Sequence, residues 1–140
     1  MNSFTSETAC AEAAQWQLRR RRGKHLLPQI RKIAEGDTAA LFVLAARLGG
    51  ATAAELRAVR ELGVAYHWLD DLQAHSRKGV FGLRQVDPDL RDGICTLMSA
   101  FNDDAPAAQR FLRREIKTRR SGAPAWLAPF WSVLGAMDVD

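Results

Sequence analysis

The chain has 140 residues, of which 47% are hydrophobic and 26% are charged. This balance is typical of a globular protein and excludes a disordered or collagen-like chain, and the length predicts one domain over residues 1–140. Twenty lysines and arginines against sixteen aspartates and glutamates give a net charge of +4. This excess suits phosphates, nucleic acid or an anionic membrane surface equally well.

The cysteines and the apolar stretches indicate the setting in which the protein works. Cys10 and Cys95 are far apart and in unrelated contexts, so neither a disulfide framework nor a Cys-based zinc site is expected, and a reducing, cytoplasmic setting fits best. The longest mostly apolar stretch, residues 38–48, contains an arginine and is shorter than the roughly 20 residues that a bilayer requires. We therefore expect no transmembrane segment, and residues 1–17 lack the features of a secretory signal.

The local composition predicts an all-α fold, a bundle of about six helices, because Ala, Leu, Arg and Glu dominate and β-branched residues are scattered. Ser6 and Thr52 are predicted N-caps, and Gly23 and Gly36 are predicted to end the first two helices. The third helix is expected to be buried, and Pro129 to kink or shorten the last one. The predicted helices cover residues 6–22, 29–35, 38–48, 53–78, 89–101, 106–119 and 125–137.

One face of the long helix predicted at 53–78 carries an unusual group of polar side chains. At 100° per residue, the members of this group fall within an arc of roughly 140°; they are His67, Asp70, Asp71, His75 and Lys78. Adjacent carboxylates repel each other unless a cation lies between them, and Mg²⁺ prefers hard oxygen ligands with several waters and a substrate phosphate. The pattern therefore predicts that Asp70 and Asp71 bind Mg²⁺ together with a diphosphate.

Basic residues follow this group along the chain. Lys78, with Arg77 and Arg84, is predicted to meet the phosphate oxygens. Two other interpretations stay open at this point: a solvated helix face, and a zinc site built from His67, an aspartate and His75.

Four segments of the chain resemble the polyprenyl (isoprenyl diphosphate) synthases in the expected order. LGVAYHWLDDL at 62–72 resembles their second aspartate-rich motif, roughly LG-x-AFQ-xx-DD-xx-D. Upstream, IAEGDTAALF at 33–42 and AARLG at 45–49 resemble the family's G-K-T-A-x-LF and ARLG. Downstream, DLRDGICTL at 89–97 resembles DL-x-EGK-x-TL. The resemblance covers about residues 30–100 and corresponds to the second half of a family member.

This resemblance implies the C-terminal half of an all-α isoprenoid synthase fold and a Mg²⁺-dependent role in isoprenoid biosynthesis. It implies that Asp70 and Asp71 bind the metal and that Thr38 and His67 contact the diphosphate of a prenyl diphosphate. The implied activity is that of a prenyltransferase, or of a subunit of a prenyl diphosphate synthase, when assembled. The expected partner is a second copy of this chain or a full-length synthase.

The chain also departs from the family's pattern. Asp37 replaces the lysine of G-K-T, His67 the glutamine of FQ, Ala74 the last aspartate of the motif and Ile94 the lysine of EGK. The half that carries the first aspartate-rich motif has no counterpart here. The departures favour a non-catalytic regulatory or binding module derived from a synthase half, whereas the retained aspartate pair favours the transferase.

Three remaining features each leave a choice between a structural and a functional role. Asp87 with Asp89, or Asp103 with Asp104, are candidates for a substitute metal motif, but turns and helix caps explain them more simply. The basic clusters at 19–24 and 113–120 are expected to be solvated faces without specific nucleic-acid binding, and a basic nucleic-acid-binding helical protein remains a weaker alternative. Aromatic residues near the C-terminus are expected either in the core or at a subunit interface; they are Trp126, Phe130 and Trp131.

Overall fold

The computed structural model of the protein describes residues 3–76 and 94–137, and this part of the chain is all-helical without a strand, as predicted. A π-helical segment, Glu35–Ala39, joins α2 to α3 without a break, so the described part contains six helical rods. Within these ranges, no helix has the length and apolar character needed to cross a membrane. The helices are α1 (Ser3–Gln17), α2 (Leu27–Ala34), α3 (Ala40–Leu48), α4 (Ala53–Ser76), α5 (Leu97–Ala100), α6 (Ala105–Ser121) and α7 (Ala128–Ala136).

Helix α4 is the central element of the bundle. It contacts the α2–π–α3 rod along one side and α5, α6 and α7 along the others. Its buried side chains therefore recur on several sides of the helix, as expected for an element surrounded by neighbours. The apolar ones are Val59, Leu62, Val64, Ala65, Trp68, Leu69 and Leu72.

Two glycines bring helices of the bundle into very close contact. A Cβ added at Gly63 of α4 would lie 2.6 Å from Cα of Ala39, and one added at Gly36 would lie 2.6 Å from Cβ of Ala11 in α1. The prediction that Gly36 ends a helix is therefore wrong. The helical run continues through Gly36. The absence of a side chain at this position allows close packing against α1 and does not mark a turn.

The first predicted helix is wrong at both ends. Helix α1 begins at Ser3, so Ser6 is not its N-cap, and it ends at Gln17, well before Gly23. Three residues beyond this end, Arg20 adopts a left-handed backbone with φ of 67°. Gly23 instead has φ of 120°, and its N–H donates to the carbonyl of Ser99 at 2.9 Å.

Later helix ends agree better with local sequence signals. Thr52 caps α4 as predicted: its hydroxyl accepts the Glu55 N–H at 3.2 Å, and the Glu55 carboxylate accepts the Thr52 N–H at 2.9 Å. Asp104 caps α6 by accepting the Ala107 N–H at 3.2 Å. The helix predicted at 89–101 is limited, within the described residues, to Leu97–Ala100.

The position of Pro129 and the burial of several apolar residues differ in part from the predictions. Pro129 lies in the first turn of α7, where it needs no N–H partner, so it does not kink the helix. The α-helix begins at Ala128 and is therefore shorter than the predicted 125–137. Trp131 is only 1% exposed and belongs to the core, whereas Phe130 is 54% exposed. The third predicted helix is also less buried than expected, because Leu41 and Leu48 face solvent.

A carboxylate on α4 joins three helices through ion pairs. Glu61 pairs with Arg31 of α2 and with Arg119 of α6, the latter at 3.3 Å. Arg31 also bonds Glu35 at 2.9 Å, and Arg119 bonds Glu115 at 3.1 Å. This network fixes the rotation of α4 relative to α2 and α6.

Gly63→Ala is expected to destabilise the fold by about 1–3 kcal/mol, because the new methyl group meets Ala39 backbone that cannot move aside. The matched control is Gly135→Ala in α7, where a Cβ meets nothing within 4 Å. Helix propensity alone should make that variant more stable, by up to about 1 kcal/mol. Urea unfolding measures both, and two changes of the same sign would contradict the packing shown here.

Candidate functional site

The π-helical segment places Thr38 directly against His67 of α4. The Thr38 hydroxyl lies 2.7 Å from Nδ1 of His67, and the close approach of Gly63 to Ala39, one turn away, sets this distance. π-helical turns are rare and occur often at functional sites. Two residues that the resemblance assigns to diphosphate binding are therefore brought together by the fold.

Burial controls the protonation of His67. Its side chain is 17% exposed, and this burial lowers the pKa of the imidazole, while the negative charge of Asp70 partly offsets the effect. Because an unperturbed histidine already titrates near pH 6.5, His67 is neutral at pH 7. A neutral ring bonded at Nδ1 keeps Nε2 for a second partner.

Asp71 has a structural role. Its side chain is 10% exposed, and Oδ2 accepts the backbone N–H of Leu97 at 3.1 Å, at the start of α5. Its other oxygen, Oδ1, lies 3.9 Å from Nε2 of His67. The carboxylate thus ties α5 to α4 and also borders the Thr38–His67 pair.

Asp70, by contrast, is exposed. Its neighbour Asp71 points toward α5, so the two predicted metal ligands diverge from each other. Within residues 3–76 and 94–137, no three His, Cys, Asp or Glu side chains lie close enough to hold a metal by themselves. Mg²⁺ commonly binds through one or two carboxylates, several waters and substrate phosphates, and the oxygens of Asp70 and Asp71 fit that mode but not a cage made by the protein alone.

Several predicted residues cannot be placed beside this group. The three predicted phosphate-binding cations, Lys78, Arg77 and Arg84, lie outside the described residues, as do Asp87, Asp89 and the side chain of His75. Asp103, with φ of 63°, lies in the turn before α6 and is 3.5 Å from Arg22, and Asp104 caps that helix. The structural roles expected for these last two aspartates are confirmed.

An apolar groove of about 340 Å³ runs between α3, α4 and the start of α7. This volume lies within the usual range for small-molecule pockets, about 300–1,000 Å³. Trp126 forms part of its wall and donates its indole N–H to Glu55 at 2.7 Å. The lining residues are Leu41, Phe42, Ala45, Ala46, Val59, Leu62, Trp126, Leu127 and Phe130.

We call Thr38, His67, Asp70 and Asp71 the polar group. The polar group and the groove both lie along the α2–π–α3 rod and α4. At 100° per residue, Val59, Leu62, Tyr66 and Asp70 fall within an arc of about 80° on α4. Between the two regions, the rings of Phe42 and Tyr66 lie with their centroids 5.6 Å apart. Along this face of α4, Asp70 lies about two helical turns beyond the groove-lining Leu62.

Glu55 fixes the Trp126 wall of the groove. Hydrogen bonds to the Glu55 carboxylate lower its pKa. The largest effect comes from the backbone N–H of Thr52, followed by the Thr52 hydroxyl and the Trp126 indole. Glu55 is consequently ionised at neutral pH, which strengthens the bond that holds the indole.

Comparison with protein-family models, with curated proteins and with solved structures finds no match to this chain. The synthase resemblance thus remains an interpretation of the residues at 33–72 and 89–97. Sequence analysis missed the π-helical segment and the Asp71–Leu97 bond, and it did not locate the groove. Of these three features, only the groove had a signal in the sequence. All residues at 41–46 are apolar, although burying one face of a helix requires only some of them to be so.

The two aspartates should differ in their effect on stability. Asp71→Ala leaves the Leu97 N–H without its acceptor, and we expect a loss of about 1–2 kcal/mol in the free energy of unfolding. Asp70→Ala, on the exposed side of the same turn, should change it by less than about 0.5 kcal/mol. Urea unfolding without metal or ligand compares them, and equal losses would show that the assigned roles are wrong.

Proposed function

We propose that the protein binds a prenyl diphosphate and takes part in Mg²⁺-dependent prenyl transfer as one component of an oligomer. The observation that supports this function is the position of an apolar groove and the exposed Asp70 on one face of α4. An amphipathic ligand with an anionic head and an apolar chain fits that arrangement. The resemblance to the second half of the polyprenyl synthases supports the same ligand class.

The polar end offers hydrogen-bond partners for a diphosphate. The Thr38 hydroxyl lies 2.7 Å from Nδ1 of His67, and the negative charge of Asp70 is close enough to act on this imidazole. The exposed carboxylate of Asp70 would hold Mg²⁺, with Asp71 as the second candidate ligand. Mg²⁺ held there would supply positive charge to offset the negative charge of a departing diphosphate.

The apolar end offers a surface for the isoprenoid chain. Leu41, Trp126 and Phe130 are about half exposed, so the groove presents large apolar area to solvent. Covering this area with a hydrocarbon chain removes it from water, and burial of apolar surface contributes roughly 25 cal/mol per Å². The exposed groove thereby supplies affinity that a hydrophilic diphosphate alone would not gain.

An assembly is required for transfer in this proposal. The exposed aspartate that faces the groove's polar end is Asp70, and the family's chemistry uses carboxylates on two sides of the diphosphate. A second copy of this chain, or a full-length synthase, would supply the opposing side. The apolar surface of this second chain would also contact the exposed residues Leu41 and Phe130.

A second candidate function is a non-catalytic module that binds and regulates a full-length synthase. The bond from Leu97 N–H to Asp71 favours it, because this carboxylate is already used by the fold in the absence of any ligand. The Thr38–His67 bond has the same consequence for these two side chains. In this function the groove would receive a segment of the partner and not a prenyl chain.

Calorimetry with geranyl or farnesyl diphosphate should detect binding in Mg²⁺ and much weaker binding in EDTA. Asp70→Ala should weaken binding by about tenfold, which corresponds to about 1.4 kcal/mol. Ala45→Trp, which fills the groove, should weaken it similarly, whereas Ala13→Trp on the exposed side of α1 should not. Binding that is equal with and without metal, and unaffected by Ala45→Trp, would exclude the proposed ligand.

Prenyl transfer should depend on assembly. The purified protein as a monomer is expected to show little turnover, because one side of the diphosphate lacks its carboxylates. Turnover should rise upon self-association or upon addition of a full-length synthase, and should fall when this protein carries Asp70→Asn. Steady-state assays combined with light scattering test this. Rapid turnover by a demonstrated monomer contradicts the assembly requirement, and a change in the synthase's rate that persists with Asp70→Asn identifies the regulatory module.

A further inference from the structure

A cleft lies between the first half of α4 and the end of α6, away from the site described above. Its volume is about 350 Å³, which is within the usual range for small-molecule pockets. Ala54 and Ala58 of α4 form one wall, and Gly122 and Ala123, directly after α6, form the other. Trp131 of α7 also lines this α4–α6 cleft and, being buried, forms part of its floor. The small side chains of the walls thus leave space above a large indole.

The indole N–H of Trp131 is a buried donor that the fold leaves unused. Trp131 is only 1% exposed, and no residue in the described part of the chain accepts a hydrogen bond from its Nε1. Buried polar groups nearly always have a partner, because an unpaired donor loses its hydrogen bonds to water without a replacement. Since Trp131 lines the α4–α6 cleft, an acceptor atom bound in the cleft would supply the partner that this N–H lacks.

Arg57 adds a guanidinium to the exposed side of the cleft. The ion pairs among the residues that the structure describes do not include it. Glu61, one turn further along α4, also lines the cleft, but its two oxygens are already bound to Arg31 and Arg119. Arg57 is therefore the cation that an anionic ligand would meet first.

We propose that the α4–α6 cleft binds a small organic monocarboxylate. The carboxylate accepts hydrogen bonds from Arg57 and from the Trp131 indole, and the apolar body of the ligand lies against Ala54 and Ala58. A guanidinium binds a carboxylate through two parallel N–H···O bonds, and burial of the apolar body adds affinity. A phosphate dianion is less suitable, because its second charge is repelled by the carboxylate of Glu61.

This carboxylate site is independent of the proposed prenyl diphosphate site. The α4–α6 cleft shares no lining residue with the apolar groove. It also contains no member of the polar group. Failure of a carboxylate to bind would therefore overturn the carboxylate site alone, and failure of a prenyl diphosphate to bind would leave the carboxylate site standing.

NMR titration of the isotopically labelled full chain with benzoate tests the site. The chain has four tryptophans, and single Trp→Phe variants assign their indole N–H signals. We expect the Trp131 signal to move downfield as its N–H gains an acceptor. The Trp68 indole is also buried without a partner in the described part of the chain, but it does not line the cleft, so its signal is the internal control. A Trp131 signal that moves no more than that of Trp68 would overturn the proposal.

Related probes distinguish the chemistry that the cleft recognises. Benzamide has the shape of benzoate without its charge, and acetate has the charge without the apolar body. Each should bind at least about tenfold more weakly than benzoate. Inorganic phosphate should also bind more weakly than benzoate, because Glu61 repels its second charge. Equal affinity for benzamide or acetate, or tighter binding of phosphate, would contradict the assignment to a monocarboxylate.

Variants locate the binding surface. Arg57→Gln should weaken benzoate binding by about fivefold or more, whereas Arg47→Gln makes the same change on an exposed part of α3 and should have little effect. Ala54→Trp fills the cleft from an exposed position and should weaken binding by about tenfold. The adjacent Ala53 is also exposed but does not line the cleft, so Ala53→Trp should leave the affinity unchanged. Equal effects within either pair would show that benzoate binds elsewhere and would overturn the site. Unfolding curves verify that the variants compared are folded.

Discussion

The close contact between Gly63 of α4 and Ala39 of the π-helical segment is the constraint on which the candidate site depends. A side chain at position 63 would separate the two helices, since even a Cβ would lie 2.6 Å from Cα of Ala39. One turn further along α4, the same approach brings His67 to within 2.7 Å of the Thr38 hydroxyl. On the same pair of helices, Phe42 meets Tyr66 where the apolar groove begins. The contact between Gly63 and Ala39 thus sets the positions of both the polar group and the apolar groove.

Asp71 illustrates how the same side chain serves both the fold and the site. Its carboxylate holds the beginning of α5 through the Leu97 N–H and leaves its second oxygen beside His67. Asp70 is exposed and does not hold another helix in this way. Replacing Asp70 therefore tests a role in ligand binding with little effect on stability. The two adjacent aspartates look equivalent in the sequence, but their surroundings make them chemically different.

The sequence predicted those features that depend on local interactions. Local composition predicted the helices that became α4 and α6, and the caps at Thr52 and Asp104 were recognisable because capping involves residues close together in the chain. Features that depend on tertiary packing were missed. Gly36 is typical of a helix end, but here it serves close packing against Ala11. Likewise, adjacent aromatic residues 130 and 131 have opposite exposures, which depend on the rotation of α7 and not on composition.

NMR of isotopically labelled protein during titration with a prenyl diphosphate in Mg²⁺ tests the central claim most directly. If one ligand spans the polar group and the groove, signals of Thr38 and His67 should shift together with the methyl signals of Leu41 and Leu62, and all should saturate at the same concentration. Inorganic diphosphate should shift only the first pair. Shifts confined to one region during titration with the full ligand, or located elsewhere on the protein, would contradict the account.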